Sequence, residues 1–549
     1  MGEKDDIVDA VHRDNDFDND HKNLQTKVVT GHEAFNEAMI KDPPQAWSGP
    51  QIMIYLFSIV GFFCSTMNGY DGSLINNLLQ NPYFKAAYNV ESSGIWAGIV
   101  SSMYQIGGVV ALPFVGPAID GYGRRIGMFI GATIIIVGTI IQGTSHSAGQ
   151  FMGGRFLLGF GVSIAAAAGP MYVVELNHPA FRGVVGAMYN TLWFSGAIIA
   201  SGAARGALDM HSDASWRLIT WLQALFSGLI VILCLWLPES PRWLYVNNKK
   251  DKARDILTKY HGNGNPESPW VTLQLREYEE LLDMDGADKR WWDYRALFRS
   301  RGAVYRLGCN MAVTIFGQWA GNAVLSYFLA AVLETCGYTT PVAQANITLI
   351  NSCQQFACAI FGAFLVDKVG RRPLLLFSFT GCCVVWLGMT IAAAEFAKSG
   401  GGLHPDGTVT QGSNTNASKA SLAMIFIFGS IYSIGITPLQ ALYPVEVLSF
   451  EMRAKGMAFS SLAVNAAGLL NQFAWPVAMR NIGWKTYIIF TVQDCVQAAV
   501  IYMLIPETKG RTLEELDEIF NAKSPVKASL ARRTIAVTER GDVVNVTDA

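Results

Sequence analysis

The sequence predicts an all-α membrane protein with about twelve transmembrane helices in two homologous six-helix halves. Three observations predict this class: an apolar composition, twelve apolar segments of membrane-spanning length, and three pairs of motifs that recur in the same order. Of 549 residues, 51% are hydrophobic and 15% are charged, whereas soluble globular proteins carry about 25% charged residues. With a mean hydropathy of +0.26, the chain is expected to have the lipid bilayer as a partner.

The apolar segments divide the chain into five parts. A helix needs roughly 20 mostly apolar residues to cross a bilayer core. In the first half, the candidate spans are 51–75, 95–119, 126–146, 151–174, 184–204 and 216–237. In the second half, they are 304–333, 342–366, 373–397, 421–444, 456–479 and 484–505. The parts are a tail (1–50), an N-terminal half (51–237), a central loop (238–303), a C-terminal half (304–505) and a second tail (506–549).

The orientation follows from the number of spans and from the charges of the loops. Six spans per half place both tails and the central loop on one side, and short loops on that side carry slightly more Lys and Arg. We therefore expect both termini in the cytoplasm and the chain in the plasma membrane. The first tail is polar and acidic, which predicts disorder and argues against a cleaved signal peptide. Glycosylation triplets at Asn346 and Asn416 fall on the opposite side, and such triplets are weak signals.

Several classes of function are not expected from the composition. The net charge is −2, so no basic surplus is available for a nucleic acid. Of nine cysteines, eight lie in apolar stretches, which predicts no disulfide framework. No pattern indicates a nucleophile, a nucleotide site or a metal site. We therefore expect no enzyme activity, no cofactor and no bound metal.

Three pairs of motifs indicate an internal duplication. GPAIDGYGRR and GAFLVDKVGRRP place Asp120 and Asp367 247 residues apart, and MYVVELNHPAFRG and LYPVEVLSFEMRAKG place Glu175 and Glu446 271 apart. PESPR follows the sixth span and PETKG follows the twelfth, at an offset of 268 residues. Duplicated six-helix halves suit a transporter that rocks about a site near the middle of the membrane.

The same motifs predict a set of ion pairs at the cytoplasmic ends of the helices. Carboxylates and arginines there can hold that side closed and must separate when it opens. The alternative is anchoring by the arginines alone, which would not require the carboxylates. The predicted gating residues are Asp120, Arg124, Arg125, Glu175, Arg182, Glu239, Arg242, Asp367, Arg371, Arg372, Glu446, Arg453 and Glu507.

Asp71, in the stretch MNGYDGSL, closes an otherwise uncharged apolar run. An ionisable residue within a span usually marks a transport pathway. The alternative is a helix end that meets water, because Asp71 lies roughly 28 Å into the predicted span. The sequence favours a proton site over helix capping.

Together, the motifs resemble the sugar porter family of the major facilitator superfamily from about residue 51 to 520. The resemblance rests on GYD, on D-x-x-G-R-R in both halves, on GRFLLGFG followed by PMYVVE, and on PESPR and PETKG. Four further stretches resemble the fungal branch of lactose permeases and cellobiose or cellodextrin transporters: YNTLWFSG, WWDYRALF, FGQWAGN and TPLQALYPVEVLSFEMRAKG. The resemblance implies the major facilitator fold and a functional monomer.

The resemblance also implies roles for particular residues. Asp71 would be the proton acceptor, with Arg155 of the fourth span as its partner. In the seventh span Gln318 and Tyr327 match the family pattern for sugar binding, whereas Asn322 is displaced by one position. The other candidates for substrate binding are Asn190, Gln355, Asn465 and Trp475, for which hydrogen bonding between helices is the alternative.

The implied function is proton-coupled sugar import by alternating access. Ala441 stands where the family has a tryptophan, and the smaller side chain favours a disaccharide such as lactose or cellobiose. Two alternatives remain open: a facilitative hexose uniporter, in which Asp71 would be dispensable, and a transporter-like sugar sensor that signals through its cytoplasmic segments.

Overall fold

The computed structural model describes residues 38–89, 95–285, 295–403, 409–410, 412–448, 450–509, 513–530, 533–537 and 543–548. This part of the chain is nearly all helical. It also contains two short antiparallel strand pairs, Gly402–Leu403 with Val409–Thr410 and Arg533–Val537 with Val543–Asp548. The N-terminal tail up to residue 37, with its predicted disorder, lies outside the described residues.

Six helical spans form the N-terminal half. Span 1 is Gly49–Gln80, span 2 is Ile95–Gly116 with a short π-helix Pro117–Gly121, span 3 is Arg124–Gly143 and span 4 is Ala148–Leu176. Span 5 comprises Arg182–Thr191 and Trp193–Ala207, and span 6 comprises Ala214–Trp221 and Gln223–Leu233. A short helix, Pro82–Tyr88, connects spans 1 and 2.

The C-terminal half repeats this arrangement. Span 7 comprises Arg301–Trp319, Asn322–Tyr327 and Leu329–Thr335. Spans 8 to 12 are Pro341–Val369, Arg371–Lys398, Thr415–Val447, Phe450–Ile482 and Thr486–Leu504. The central loop forms the helices Pro241–Val246, Lys250–Tyr260 and Pro269–Asp285, and Leu513–Asn521 and Pro525–Leu530 follow span 12.

Ten helices in the described part of the chain are long and apolar enough to cross a membrane. They cover eleven of the twelve predicted segments, because spans 11 and 12 continue into one another through the short helix Gly483–Lys485. The remaining segment is span 7, which is broken after Trp319 and at Phe328. At the first break Gly321 has φ +98°, a conformation that only glycine adopts readily. The predicted class, an all-helical membrane protein, is confirmed.

Polar contacts join the two halves at one end of the bundle. We call the end where span 2 meets span 3 the motif end, and the opposite end the far end. At the far end, the polar contacts that join the halves in the described part of the chain include Gln80 to Thr348 (3.0 Å), Asn76 to the main-chain nitrogen of Ala330 (3.3 Å), Arg205 to Asn346 (3.0 Å) and Lys85 to Glu334 (3.7 Å). The structure is therefore a conformation in which the two halves meet at the far end.

The central loop packs on the motif end of span 4 through two histidines. His261 Nε2 donates to the carbonyl oxygen of Leu176 (2.9 Å), and Gln274 donates to His261 Nδ1 (2.7 Å). The ring of His178 packs on Trp270 with centroids 4.5 Å apart. Burial lowers the pKa of His261 to about 4 and that of His178 to about 3, so both rings are neutral at physiological pH.

This histidine contact predicts a pH dependence of stability. A lowered pKa means that the folded loop binds fewer protons than the unfolded loop, so stability is complete above about pH 6.5 and is lost as the pH falls toward about 4. We expect the melting temperature of the purified protein to decrease over this window and the decrease to be smaller in His261→Gln. The matched control is His211→Gln, because His211 is exposed at the far end. An unchanged pH slope in His261→Gln would contradict this account.

Candidate functional site

Asp71 lies inside the bundle rather than at a helix end. Span 1 continues for nine residues beyond it to Gln80, and the side chain of Asp71 is 0% exposed. Neither carboxylate oxygen accepts a hydrogen bond from any residue in the described part of the chain. The alternative of helix capping, which requires contact with water, does not fit this burial.

Arg155 is the charged group beside Asp71. It is fully buried, and its Nη1 donates to the main-chain oxygen of Asp71 (3.3 Å) rather than to the carboxylate. Its guanidinium lies 5.0 Å from the centre of the Tyr104 ring, and Tyr104 donates to Asn68 Oδ1 (3.1 Å). The predicted partners are therefore adjacent, but the Arg155 guanidinium does not bond the Asp71 carboxyl group in this conformation.

A close crossing of spans 2 and 4 brings Tyr104 and Arg155 together. A Cβ atom on Gly159 would overlap the carbonyl oxygen of Tyr104, and one on Gly107 would overlap that of Phe156. Two glycines on opposite helices thus allow the backbones to touch, as small residues do at helix interfaces in membranes.

Span 7 contributes its tyrosine to the same region. Gln105 Nε2 donates to the hydroxyl of Tyr327 (3.5 Å), which joins span 2 of one half to span 7 of the other. Tyr327 also lies within electrostatic range of Arg155. The predicted sugar contact Tyr327 and the predicted proton pair therefore belong to one central polar cluster.

The two span-7 amides lie on either side of the break. Gln318 is partly exposed, and its main-chain oxygen accepts from Asn471 (2.9 Å) of span 11. Asn322 begins the short segment after the break and accepts from Ser326 (3.4 Å). The hydroxyl of Tyr432 on span 10 donates to the carbonyl oxygen of Gly317 (2.8 Å). Among the described residues, the Gln318 side chain makes no hydrogen bond to a neighbouring helix, so it is the predicted span-7 amide best placed to bind a ligand.

The remaining predicted amides lie at contacts between helices. Asn190 Nδ2 donates to the carbonyl oxygen of Thr437 (2.7 Å), which links spans 5 and 10 across the two halves. Asn465 donates to Ser461 within span 11 (2.9 Å) and faces Gly108 of span 2. Gln355 is 9% exposed and faces Gly429 of span 10. Asn190 in particular makes the hydrogen bond between helices that was the alternative to sugar binding.

Trp475 lies in the core of the C-terminal half. Its Nε1 donates to Asn471 Oδ1 (2.9 Å), and its ring packs on Phe490 with centroids 4.3 Å apart. In this conformation both the polar atom and the ring face therefore have protein partners, so the structure gives Trp475 a packing role.

Three predicted positions have side chains outside the described residues. They are Ala441 on span 10, Asp367 at the end of span 8 and Arg453 on span 11. Their roles stay predictions.

At the motif end of the N-terminal half, Arg124 and Glu175 form a bidentate ion pair. Arg124 Nε and Nη2 donate to the Glu175 carboxylate at 2.9 and 3.1 Å. Arg124 Nη1 reaches Asp120 (3.1 Å), and Ser240 of the PESPR motif donates to Glu175 (2.5 Å). Spans 2, 3 and 4 and the chain after span 6 are thus tied at one point.

The C-terminal half repeats the ion pair. Arg371 Nε and Nη2 donate to the Glu446 carboxylate at 3.0 and 2.7 Å. Thr508 of the PETKG motif donates to Glu446 (2.6 Å), as Ser240 does to Glu175. The internal repeat therefore extends to individual hydrogen bonds.

The glutamates of PESPR and PETKG each bind the start of a helix. Glu239 accepts from the main-chain nitrogens of Arg124 and Arg125 (3.1 and 3.2 Å) at the start of span 3. Glu507 accepts from those of Arg371 and Arg372 (2.9 and 3.1 Å) at the start of span 9. A carboxylate at a helix N-terminus is favourable because it meets unpaired N–H groups and the positive end of the helix dipole.

The other predicted gating arginines lie around these pairs. Arg125 donates to the carbonyl oxygen of Leu237 (2.9 Å), and Arg372 donates to that of Tyr502 (2.7 Å). Arg242 is within electrostatic range of Asp120, and the Nε of Arg182 is buried without a partner among the described residues. Anchoring by arginines alone would not require the carboxylate contacts of Glu175 and Glu446 described above. The arrangement therefore favours an ion-pair network at the motif end over simple anchoring.

Sequence reasoning missed two members of the central cluster. Tyr104 and Gln105 both come from MYQIGG in span 2, where two polar side chains are separated from a pair of glycines by one isoleucine. Polar residues within an apolar span were the available signal.

Comparisons with known proteins agree on the class. The family model described as "Sugar (and other) transporter" matches residues 57–520. The high-affinity glucose transporter of Kluyveromyces lactis is 28% identical over 486 residues, which cover 85% of each chain. The myo-inositol transporter 2 of Cryptococcus neoformans is 27% identical over 531 residues, which cover 94% of this chain and 92% of the relative.

Solved structures show the same fold. The xylose transporter XylE of E. coli, in a partially occluded inward open conformation, has a TM-score of 0.67 at 20% identity and covers 84% of this chain and 99% of its own. The proton:xylose symporter XylE bound to 6-bromo-6-deoxy-D-glucose, of the major facilitator superfamily, has a TM-score of 0.68 at 20% identity, with 85% and 99% covered.

Proposed function

Because the chain belongs to the sugar transporter family of the major facilitator superfamily, we propose that it imports a sugar together with a proton by alternating access. The observation that carries this proposal is the carboxyl group of Asp71, which is buried next to Arg155 without a hydrogen-bond partner among the described residues. The relatives are transporters rather than enzymes.

The coupling follows from the cost of charge inside a membrane. An ionised carboxylate in a span is expensive unless it is paired or hydrated. With Arg155 bonded to the main chain of Asp71 instead of its carboxylate, this conformation suits a protonated Asp71. When the motif end opens and Arg155 turns to the carboxylate, the ionised form becomes favourable and the proton can leave on the cytoplasmic side. The proton and the sugar would then cross in the same step.

The substrate is proposed from the relatives and the central cluster. The relatives named above are glucose and inositol transporters, and neither they nor the xylose symporter support the lactose and cellobiose branch. The preference for a disaccharide rests on Ala441 alone. We therefore propose a single-ring sugar or cyclic polyol as the substrate and keep a disaccharide as the second candidate.

Two alternatives make different demands on the same site. A uniporter would use the sugar contacts and leave Asp71 dispensable, and a sensor would bind sugar without net transport. The buried Asp71 favours symport over both, because neither alternative needs a carboxyl group at that cost. We further propose a plasma-membrane location, cytoplasmic termini and a functional monomer.

The experiment that tests the function is uptake of a panel of labelled sugars in a transport-deficient cell. The panel contains hexoses, a pentose, inositol, lactose and cellobiose, and external pH is recorded during each addition. Saturable uptake of at least one single-ring compound, with proton entry, is expected. Binding at the cell surface without uptake of any compound would favour the sensor instead.

Gln318→Ala is predicted to weaken the apparent affinity for sugar. A buried polar group of the ligand that loses its partner costs roughly 1–3 kcal/mol, which corresponds to about five- to a hundredfold in affinity. The control is Asn190→Ala, because Asn190 already bonds Thr437 across the halves and should affect folding or rate more than affinity. An unchanged affinity at normal surface expression would remove Gln318 from the site.

A further inference from the structure

A second carboxyl group is buried in the membrane, on the opposite half from Asp71. Asp494 is 0% exposed in span 12, and it follows the start of that span at Thr486 by eight residues, or about 12 Å. Neither of its carboxylate oxygens has a hydrogen-bond partner in the described part of the chain. Asp494 belongs to none of the sequence motifs described above, and it has no role in the proposed proton transport through Asp71.

Gln497 makes the surroundings of Asp494 polar on one side. It lies three residues later, on the same face of the helix, and is 2% exposed. Both its amide oxygen and its amide nitrogen lack partners among the described residues. Two neighbouring buried side chains with unused hydrogen-bonding capacity indicate a place for a polar ligand, because such groups are normally satisfied.

The internal repeat shows that packing does not require an acid here. The offset of 268 residues between PESPR and PETKG places Phe226 of span 6 at the position equivalent to Asp494. Phe226 is 7% exposed and packs against Phe63 and Tyr70. The N-terminal half therefore fills this position with an apolar ring, and the carboxyl group of Asp494 is a specific feature of the C-terminal half.

In the described part of the chain, the ionisable groups that face Asp494 are thiols and a phenol, which carry no charge at neutral pH. Cys382 and Cys383 of span 9 and Tyr432 of span 10 lie within its electrostatic range. Cys495 follows it on span 12 and contacts Cys383.

The other elements packed on span 12 bring their ionisable groups near its two ends. From span 7, Tyr305 and Cys309 bond the carbonyl oxygen of Leu504, ten residues past Asp494. Arg480 of span 11 and Lys485 lie at the turn before span 12, with Lys485 about 13 Å away along the helix. Among the described residues, the carboxyl group of Asp494 is thus buried with no cation facing it in this conformation.

A chain of contacts connects Asp494 to the break in span 7. Phe490, one turn before Asp494, stacks on Trp386 of span 9 with centroids 4.8 Å apart. Trp386 Nε1 donates to the carbonyl oxygen of Ala320 at the break (3.0 Å), and a Cβ atom on Gly321 would overlap its ring. A movement of span 7 at this break must therefore displace Trp386 and the ring of Phe490, which lies one helical turn from Asp494.

The outer segment of span 7 also takes part in closing the far end. Its Ala330 donates to Asn76 of span 1 (3.3 Å), and its Thr335 bonds Tyr487 of span 12 (2.7 Å). The segment Leu329–Thr335 thus contacts both the opposite half and the helix that carries Asp494. When the far end opens, the contact with Asn76 must break and this segment must move.

We propose that Asp494 is a second proton-binding site, which controls the opening of the far end and does not carry its proton across the membrane. With the far end closed, the group is dry and unpaired, so the neutral form is required. With the far end open, water can reach the carboxyl group of Asp494 and hydrate its ionised form, which then costs much less free energy. Since binding and conformation are linked reciprocally, protons on the far side favour the closed state.

The test is equilibrium sugar binding by the purified full-length protein in lipid nanodiscs, measured from about pH 8 to about pH 5. It rests on the proposed sugar binding, with the substrate taken from the uptake panel. We compare the unmodified protein, Asp494→Asn, Asp71→Asn and the double variant. We expect each acid to contribute its own pH-dependent part, of at most about tenfold in affinity per pH unit. Asp494→Asn should lose the pH dependence of affinity that comes from Asp494, and the double variant should lose the contributions of both acids.

Controls separate this proposal from its alternatives. Asp209→Asn removes an exposed acid at the far end and should retain the full profile. A profile of Asp494→Asn that coincides with the unmodified protein overturns the proposal, and a dependence on sodium instead of pH assigns a metal cation in place of the proton. Uphill uptake by Asp71→Asn would overturn the proposed coupling alone.

A spectroscopic measurement covers the case in which Asp494→Asn does not fold. The infrared spectrum of Asp71→Asn should still show the C=O stretch of a buried protonated carboxylic acid, and this band should decrease as the pH is raised. If no such pH-sensitive band is present, Asp494 does not bind a proton in this range and the proposal fails.

Discussion

Replacement of Asp71 by Asn is expected to abolish accumulation of sugar against its gradient. A membrane potential of 100 mV contributes about 2.3 kcal/mol per proton, which supports nearly fiftyfold accumulation at one-to-one coupling. Asparagine has nearly the shape of a protonated aspartate and cannot release a proton. The variant should therefore bring the internal sugar concentration only to the external value.

The structure gives this prediction its physical basis. Asp71 is 0% exposed and Arg155 bonds its main chain, so its carboxyl group is placed to gain an arginine partner only when the helices move. Accumulation is measured as the ratio of internal to external labelled sugar at steady state, with surface expression checked. Asp209→Asn serves as the control, since Asp209 is exposed and pairs with Arg205 at the far end. Undiminished uphill uptake by Asp71→Asn would show that the transporter is not coupled through this residue.

Loss of the Arg124–Glu175 pair is expected to have the second large effect. Both side chains are mostly buried, with 12% and 9% exposure, and removal of one partner of a buried ion pair typically costs about 3–5 kcal/mol. Arg124→Ala should therefore reduce thermal stability and surface expression strongly. The double variant Arg124→Leu, Glu175→Leu should recover part of the stability, because it leaves no unpaired buried charge at Glu175, whereas Asp120, the other partner of Arg124, is 73% exposed and remains hydrated.

An exposed pair provides the matched comparison for this measurement. Lys398 and Glu395 lie 2.6 Å apart with 72% and 51% exposure, and such surface pairs contribute about 0–1 kcal/mol. Lys398→Ala should leave the melting temperature nearly unchanged. If Arg124→Ala behaves like Lys398→Ala, the motif-end network does not stabilise this conformation.

The sequence predicted the helices and the duplication well, because both depend on local signals. Apolar runs of about 20 residues must be helical to satisfy their backbone in lipid, and most span boundaries agree within a few residues. Span 1 and span 10 are longer than predicted: span 1 ends at Gln80 instead of 75, and span 10 begins at Thr415 instead of 421. Asn416, predicted in a loop, therefore lies in the first turn of span 10.

The contacts of the site were less predictable, because they depend on how helices distant in sequence pack. The resemblance identified Asp71 and Arg155, but it did not show that Arg155 bonds the main chain in this conformation. Trp475 is an aromatic residue that suits a sugar site by type, yet its neighbours place it in the core. Asp494 carried the same signal as Asp71, a charge within an apolar span, and was missed because no motif surrounds it.

The most direct test of the central claim is proton movement by the purified protein in liposomes without a buffer. With an inside-negative potential of about 100 mV imposed, we expect addition of the transported sugar outside to raise the external pH at once, and a protonophore to abolish sugar accumulation but not equilibration. Sugar entry with no change in external pH, at a rate and extent that the protonophore leaves unchanged, would contradict proton-coupled import.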